Sequence, residues 1–517
     1  MSPSQDAFFA SLPTDLTIDR SDAGVSAGCS DVFYVGSHRP LAILIPQSIA
    51  HIETIWRAAN KFDISVINRG AGLSYTAAIL PSVADAVILD LQRLNKILAP
   101  DIVDKFITVE AGATWLSVDQ ALGECGLRLA LPAPISGQVS TVGGALAQGL
   151  PVGLEAVVGV EVVLPDGRLI TIGAGHWGSQ QTGCHRMMGA DLLGVFLGTG
   201  GIFGTIARAH LRLEPKPSNV AYRSYTAENV EHCATLLTTL SQIANNVRLI
   251  AMPIRRERDA ANISVGDKIK LAWNVTRHLK ASSSLVKFFA QLLSFSIRSS
   301  NHKKNTACVH VVIEANSDTE AARLAAHLDA AAYNEGAHPV SSPIPAITYA
   351  NPYSLRGMLG PHGERWVPIH GLGAVSQLSD FASITADFFC KHSQAMDREG
   401  ISSSWLMMAW PGKCALIEPM FLWSAPLLPI HKLAGEIVEK VTVKASEETA
   451  SRTAYVQQLR EEIIAQLDEA GALHLQLGQS YPYRERLSQP LDDILTAVKN
   501  SVDPKCLSAP GNLGFSR

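Results

Sequence analysis

Three glycine clusters and one alternating stretch near the C-terminus hold the residues whose types and spacing could do chemistry. The first cluster is Asn68-Arg69-Gly70-Ala71-Gly72-Leu73-Ser74-Tyr75, set directly after the apolar run Ile64–Ile67. The second, Ser136–Gly144, brings Gly137, Ser140 and Thr141 beside Gly143 and Gly144. The third, Gly198–Ile206, contains Gly200, Gly201 and Gly204. Glycine reaches positive φ and lacks the Cβ that would keep a ligand away from backbone N–H groups. Such clusters in a β-rich stretch suit a diphosphate, and through it a dinucleotide; tight hairpin turns in an ordinary β domain would use the same residues. The spacing fits neither of two common phosphate loops. Arg69–Gly72 lacks the third glycine of a Rossmann turn, and no cluster continues into Gly-Lys-Ser/Thr.

The alternating stretch is Leu473-His474-Leu475-Gln476-Leu477-Gly478, which reads as a strand with His474 and Gln476 on one face. A neutral imidazole near pH 7 suits proton abstraction, although a buried histidine satisfied by one hydrogen bond is the commoner occurrence.

The elements that must position these residues follow from periodicity. Leu41–Pro46 reads as a strand, Ile49–Phe62 as a helix with Ile52, Ile55, Trp56 and Ala59 on one side, and Ile64–Ile67 as a second strand entering the first glycine cluster. Ala86–Asp90 and Phe106–Glu110 are strand-like, Thr114–Cys125 is a helix, and Val157–Leu164 with Leu169–Ile172 forms a hairpin. Residues 1–35 lack strong periodicity and read as an irregular or loosely docked arm. Pro215-Lys216-Pro217 marks a boundary. Beyond it, Glu228–Ala244, Thr319–Tyr333 and Phe381–Arg398 read as helices, alternating with strands at Cys308–Glu314, Trp405–Ala409 and Ala415–Trp423. That texture fits an antiparallel sheet with helices on one face. The predicted division is residues 1–217, 218–455 and a returning segment 456–517, in an α+β protein.

Bulk properties narrow the classes of function. A chain of 517 residues exceeds one ordinary core. Apolar residues make up 47% and charged residues 17%, and the formal charge of −4 gives no reason to expect nucleic acid. None of the eight cysteines forms a CxxC pair, so reduced thiols in a cytoplasmic protein are expected. Met1–Leu12 has no basic stretch leading into an apolar core, so no secretory signal is expected. No apolar run reaches the ~18–20 residues of a membrane span. Residues 268–304 combine lysines and arginines with leucines and phenylalanines, as an amphipathic surface helix or a docking helix would. His362, His370, His392 and His431 are scattered without HxxxH or HExxH spacing, so no metal site is expected.

Four signatures together resemble the FAD-linked oxidases typified by vanillyl-alcohol oxidase and p-cresol methylhydroxylase: Arg69–Thr76, Val109–Trp115, Ser136–Gly144, and Gly189–Gly198 running into Gly204. Asp503–Gly511 resembles the family's closing segment, and Arg356–Gly371 resembles part of its cap domain. The resemblance implies an FAD-binding domain of the p-cresol-methylhydroxylase type in two subdomains, plus a cap domain with a large antiparallel sheet flanked by helices. It implies that Arg69, Gly70, Ala71, Gly72, Leu73, Ser74 and Tyr75 wrap the pyrophosphate. Pro134, Ser136, Gly137, Ser140, Thr141, Gly143, Gly144 and Gly153 would line the flavin ring and ribityl chain, and Gly200, Gly201, Gly204 and Ile206 the adenine side and flavin edge. Tyr75 falls where the phenol oxidases have an active-site tyrosine, and Arg356 and His370 flank the cap signature; these three join His474 as the catalytic candidates.

The departures matter as well. Leu73 stands where doubly tethered relatives have histidine, and Pro132–Ser136 holds neither their cysteine nor an acid. Leu473-His474 replaces a Tyr-Arg pair that binds phenolate, with Tyr483-Arg484 ten residues on. Non-covalent FAD is expected, with Tyr353 the one candidate tether. The implied activity is FAD-dependent oxidation of a CH–OH or benzylic carbon, in a 4-alkylphenol or an apolar alcohol. The alternatives are a 2-hydroxy-acid dehydrogenase of the lactate or glycolate kind and a flavin-dependent non-redox transferase or lyase. A small-molecule substrate, an electron acceptor (oxygen or a redox partner protein) and a homodimer complete the expectation.

Overall fold

Three sheets carry the chain. The computed structural model describes residues 2–123, 125–150, 152–173, 185–187, 189–254, 307–353, 359–360, 362–434 and 443–517. Arg356 and residues 268–304 lie outside the described residues. Among the described residues no helix is long and apolar enough to cross a membrane.

The first sheet has strand order β1-β2-β4-β3, built from β1 (Thr17–Asp19), β2 (Ile43–Ile45), β3 (Ser65–Arg69) and β4 (Ala86–Asp90). β2 and β3 both run parallel to β4, and the helix Ile49–Phe62 makes the crossover. Ser48 starts that helix by accepting the His51 amide, and Asp63 ends it in the left-handed conformation. Its apolar stripe Ile52, Ile55, Trp56 and Ala59 is fully buried. β3 then delivers Arg69 to the first glycine cluster.

The N-terminal residues are not the irregular arm expected from the sequence. Ser2 caps a helix at Pro3–Ala10, and β1 pairs antiparallel with β2. Phe8, Leu12 and Leu16 bury themselves in the same core as Ile52, Ile55 and Trp56. Elements this short draw their stability from tertiary packing, which local periodicity does not report.

The second sheet joins β5 (Phe106–Glu110), β9 (Thr205–Pro215), β7 (Val157–Val163) and β8 (Leu169–Gly173), with β6 (Leu127–Leu129) on the far end of β9. The third is the large antiparallel sheet of the cap: β10 (Asn219–Ala227), β12 (Ala307–Ala315), β11 (Val247–Pro253), β15 (Ile401–Trp410), β16 (Cys414–Trp423) and β13 (Arg365–Pro368) in that order, with β14 (Gly371–Gly373) also on β16. Its two faces are distinct. Trp405, Met407 and Ala409 of β15 and Ile417, Phe421 and Trp423 of β16 share a core with Phe381 and Phe388 of the helix Leu378–Glu399. The alternate residues Leu406, Met408, Met420 and Leu422 belong to a separate cluster on the opposite face.

Beyond the cap sheet the tail departs from expectation twice. The division expected at residue 455 falls inside the helix Glu447–Glu469, which packs on the helix Leu378–Glu399 and on β14 and β16. Leu473–Gly478 is not a strand: only Leu473 bridges, to Leu372, and Gln476 adopts φ 56°. That turn separates His474 from Gln476 instead of aligning them. After the helix Gln489–Val502, Ser508 bridges Val66 of β3 and Leu507 enters the first sheet's core.

Candidate active site

The first glycine cluster is held open from behind. Among the described residues the amides of Gly70, Ala71, Gly72, Leu73, Ser74 and Tyr75 find no hydrogen-bond acceptor, and the next amide, that of Thr76, donates to Ser74 Oγ. Gly72 lies at φ 83°, and a Cβ there would come 2.9 Å from Arg69 Nη2. A Cβ on Gly70 would run into Thr141, so neither glycine has room for a side chain.

The third cluster is tied to the first and to the tail. Asn68 donates to the Gly204 carbonyl at 2.9 Å and accepts from Thr205, which in turn accepts from the indole of Trp56. Asn512 donates to the Gly200 carbonyl and Ser508 to that of Gly201. Buried Lys499 donates to the Ile202 and Ser508 carbonyls and pairs with Asp503 at 2.6 Å. In the second cluster Thr141 caps the helix Val142–Ala147 by accepting the Gly144 amide.

A cavity of about 1780 Å³ runs from these clusters to the open face of the cap sheet. Residues 69–75 all line it, as do Pro134, Ser136, Ser140, Thr141, Gly143, Gly144, Gly200, Gly201, Gly204 and Ile206. Gly137 packs instead behind the wall against the ring of Tyr353, and Gly153 faces Leu131, Pro132 and Lys413. Four buried polar atoms on lining residues have no partner: Arg69 Nε, Ser140 Oγ and Gln148 Oε1 near the glycine clusters, and His370 Nδ1 at the cap end. A row of free amides, an unsatisfied guanidinium nitrogen and a free hydroxyl fit a diphosphate-bearing cofactor, because each would otherwise remain a costly unpaired group. Burial lowers the pKa of Arg69. Tyr353 also lines the cavity, with burial holding its phenol above the ordinary range.

At the cap end a polar cluster interrupts apolar surroundings. Tyr75 reaches from the first glycine cluster, its hydroxyl 3.1 Å from His370 Nε2, and Gln476 donates to the same hydroxyl at 2.8 Å. The Glu418 carboxylate lies 3.4 Å from His370 Nε2. The His370 amide donates to Tyr481. Burial first, then the negative charge of Glu418, raises the Tyr75 pKa well above its ordinary value, so the group stays a phenol at neutral pH.

The catalytic candidates separate here. Tyr75 and His370 meet in the cavity; Arg356 lies outside the described residues. His474 sits one layer back. Its Nδ1 donates to the His370 carbonyl at 2.6 Å, Nε2 meets Asp468 at 3.2 Å, and the ring stacks on Tyr481 with centroids 4.6 Å apart. Two acceptors would suit an imidazolium, yet burial holds its pKa below the usual value and Arg486 takes up the charge of Asp468. This geometry places His474 behind His370 and outside the cavity lining. Glu418 and Gln476 were not predicted as site residues. Their signals were an acid among alternating apolar residues of one strand, and a glutamine two residues beyond a candidate base.

Residues 40–173 match the family described as FAD binding domain. Glycolate oxidase subunit GlcD of Bacillus subtilis is 27% identical over 230 residues, covering 43% of this chain and 47% of that protein. Mitochondrial D-lactate dehydrogenase [cytochrome] 1 of Saccharomyces cerevisiae is 26% identical over 236 residues, covering 43% and 39%. The matched stretch therefore spans less than half of each of these relatives. Among solved structures, substrate-bound p-cresol methylhydroxylase superposes with TM-score 0.70 at 14% identity, over 99% of this chain and 96% of that one. The chain thus carries an FAD-binding domain within the fold of the vanillyl-alcohol oxidase and p-cresol methylhydroxylase family.

Proposed function

We propose that this protein is an FAD-dependent oxidase or dehydrogenase that removes a hydride from a CH–OH or benzylic carbon of an apolar alcohol or 4-alkylphenol. The observation that carries the reading is the Tyr75–His370–Gln476–Glu418 cluster, which faces the same cavity as the row of free amides at 70–75. Bound FAD supplies the hydride acceptor. The chain's own residues supply orientation and a path for the hydroxyl proton. Gln476 donates to the Tyr75 oxygen, which leaves the phenolic proton for His370 or for a substrate oxygen in the cavity. A substrate hydroxyl bound at Tyr75 passes its proton through the phenol to His370 Nε2, and Glu418 beside that nitrogen favours the resulting imidazolium. Leu406, Met420 and Trp366 exclude water from the apolar part of the substrate.

The names of the sequence relatives favour a second reading, a 2-hydroxy-acid dehydrogenase. Anaerobic titration of the purified protein tests both. Yellow protein that bleaches with aryl or alkyl alcohols and recolours in air is an oxidase of the first kind; bleaching that turns over only with an added acceptor is a dehydrogenase. Bleaching confined to lactate or glycolate replaces the first reading with the second. Protein that takes up no FAD rules out both.

A further inference from the structure

Strand β16 places Leu416, Glu418, Met420 and Leu422 on the cavity side of the cap sheet, with Ile417 and Phe421 turned to the helices behind it. Three of the four cavity-facing residues are apolar, and the residue directly across from Glu418 on β15 is Leu406. The Glu418 side chain is 13% exposed, and among the described residues its one ionic neighbour is His370 Nε2 at 3.4 Å, beyond a well-formed hydrogen bond. A carboxylate in low-dielectric surroundings without a donor of its own favours a ligand that brings a donor and repels a ligand that brings a second negative charge.

Resting on the flavin-dependent reading above, we propose that Glu418 is a specificity-determining residue that admits neutral hydroxyl compounds and rejects carboxylates. The apolar body of the substrate lies along Leu406, Met420, Leu422 and Trp366. Its hydroxyl turns to the cluster of Tyr75, His370 and Glu418. The carboxyl group of a 2-hydroxy acid placed the same way would face Glu418 across the apolar face. Glu418 thereby separates the two substrate classes left open by the cofactor alone.

The test uses FAD-loaded full-length protein and two matched pairs: cinnamyl alcohol with cinnamate, and 2-naphthylmethanol with 2-naphthoate. Binding is read from the difference absorbance of the flavin. In the wild type each acid binds at least about 50-fold more weakly than its alcohol. Glu418→Gln brings each pair within about fivefold, mainly by tightening the acid. Leu406→Lys, which places a cation across from the carboxylate without removing it, narrows the gap in the same direction. Equal binding of acid and alcohol by the wild type overturns the proposal even if Glu418→Gln fails to fold. A gap that survives Glu418→Gln overturns it, and so does failure of both alcohols to bind. Flavin content separates the two levels: protein with FAD but no discrimination loses this inference alone, and protein without FAD loses the functional reading as well.

Discussion

Tyr75 is fixed from two sides before any substrate arrives: Gln476 donates to its oxygen, and His370 lies 3.1 Å away. Its ring meets Trp366 edge-on with centroids 6.1 Å apart. Tyr75→Phe keeps that packing and removes the hydroxyl. Flavin content stays intact, and the rate constant for flavin reduction falls about 10²-fold in stopped-flow; an unchanged rate would reduce Tyr75 to a packing residue. His474→Gln tests the layer behind. Glutamine can still donate to the His370 carbonyl, so reduction slows by less than about tenfold and its pH profile keeps its shape. A loss as large as that of Tyr75→Phe, with a changed pH profile, would return His474 to the role of base. The two sites differ in how far the sequence discloses them. Tyr75 could be singled out because its glycine turn resembles that of the phenol oxidases, which carry an active-site tyrosine at that place. Glu418 could not, because a charged residue within an alternating strand ordinarily marks the solvent face, and here that face encloses a cavity.

Elements with a strong local pattern were readable from the sequence, and elements held by distant contacts were not. The helix Ile49–Phe62 has both a cap and an apolar stripe, and it stands where periodicity put it. The segment around Asp31 has neither. It is ordered because Asp31, fully buried, accepts the amides of Phe33, Tyr34 and Ala77, which ties the N-terminal residues to the end of the first glycine cluster. Burial raises the Asp31 pKa to about 6, only partly offset by those three amides and by Arg460. A folded pKa above the unfolded one means that protonation favours the folded state. The stabilisation is therefore complete below pH ~4 and is lost as pH rises through about 6. Asp31→Asn removes this titration. Urea unfolding from pH 7 down to pH 4.5 should show the wild type gaining on the variant by about 2 kcal/mol. A constant difference across that range would mean that Asp31 titrates normally in the folded protein.

At the scale of the whole molecule, the cavity depends on how the cap sheet is seated on the second sheet. Arg128 on β6 joins them: it pairs with Glu214 on β9 and, through two 2.6 Å bonds, with Glu314 on β12 of the cap. Arg248 on β11 meets Glu314 from the cap side. Burial opposes charge at Glu314, but the two arginines outweigh it and lower its pKa. All four residues line the cavity. Lys413, in the turn between β15 and β16, also pairs with Glu155, in the turn before β7, but their side chains are 44% and 63% exposed, whereas Glu314 is 10% exposed. Screening by water makes an exposed pair worth little, and a bidentate pair on a buried carboxylate is worth more. Arg128→Met leaves Glu314 with Arg248 alone and costs about 1–2 kcal/mol. Because the loss falls at the seam between cofactor cradle and cap, it should lower the temperature at which flavin fluorescence appears by a few degrees. Lys413→Met should leave that temperature unchanged. Raising the salt concentration should erode the seam only slightly in the wild type, since the decisive carboxylate is shielded from solvent. Equal shifts in the two variants would mean that the cap is seated by apolar packing and that the buried ion pair contributes no more than the exposed one.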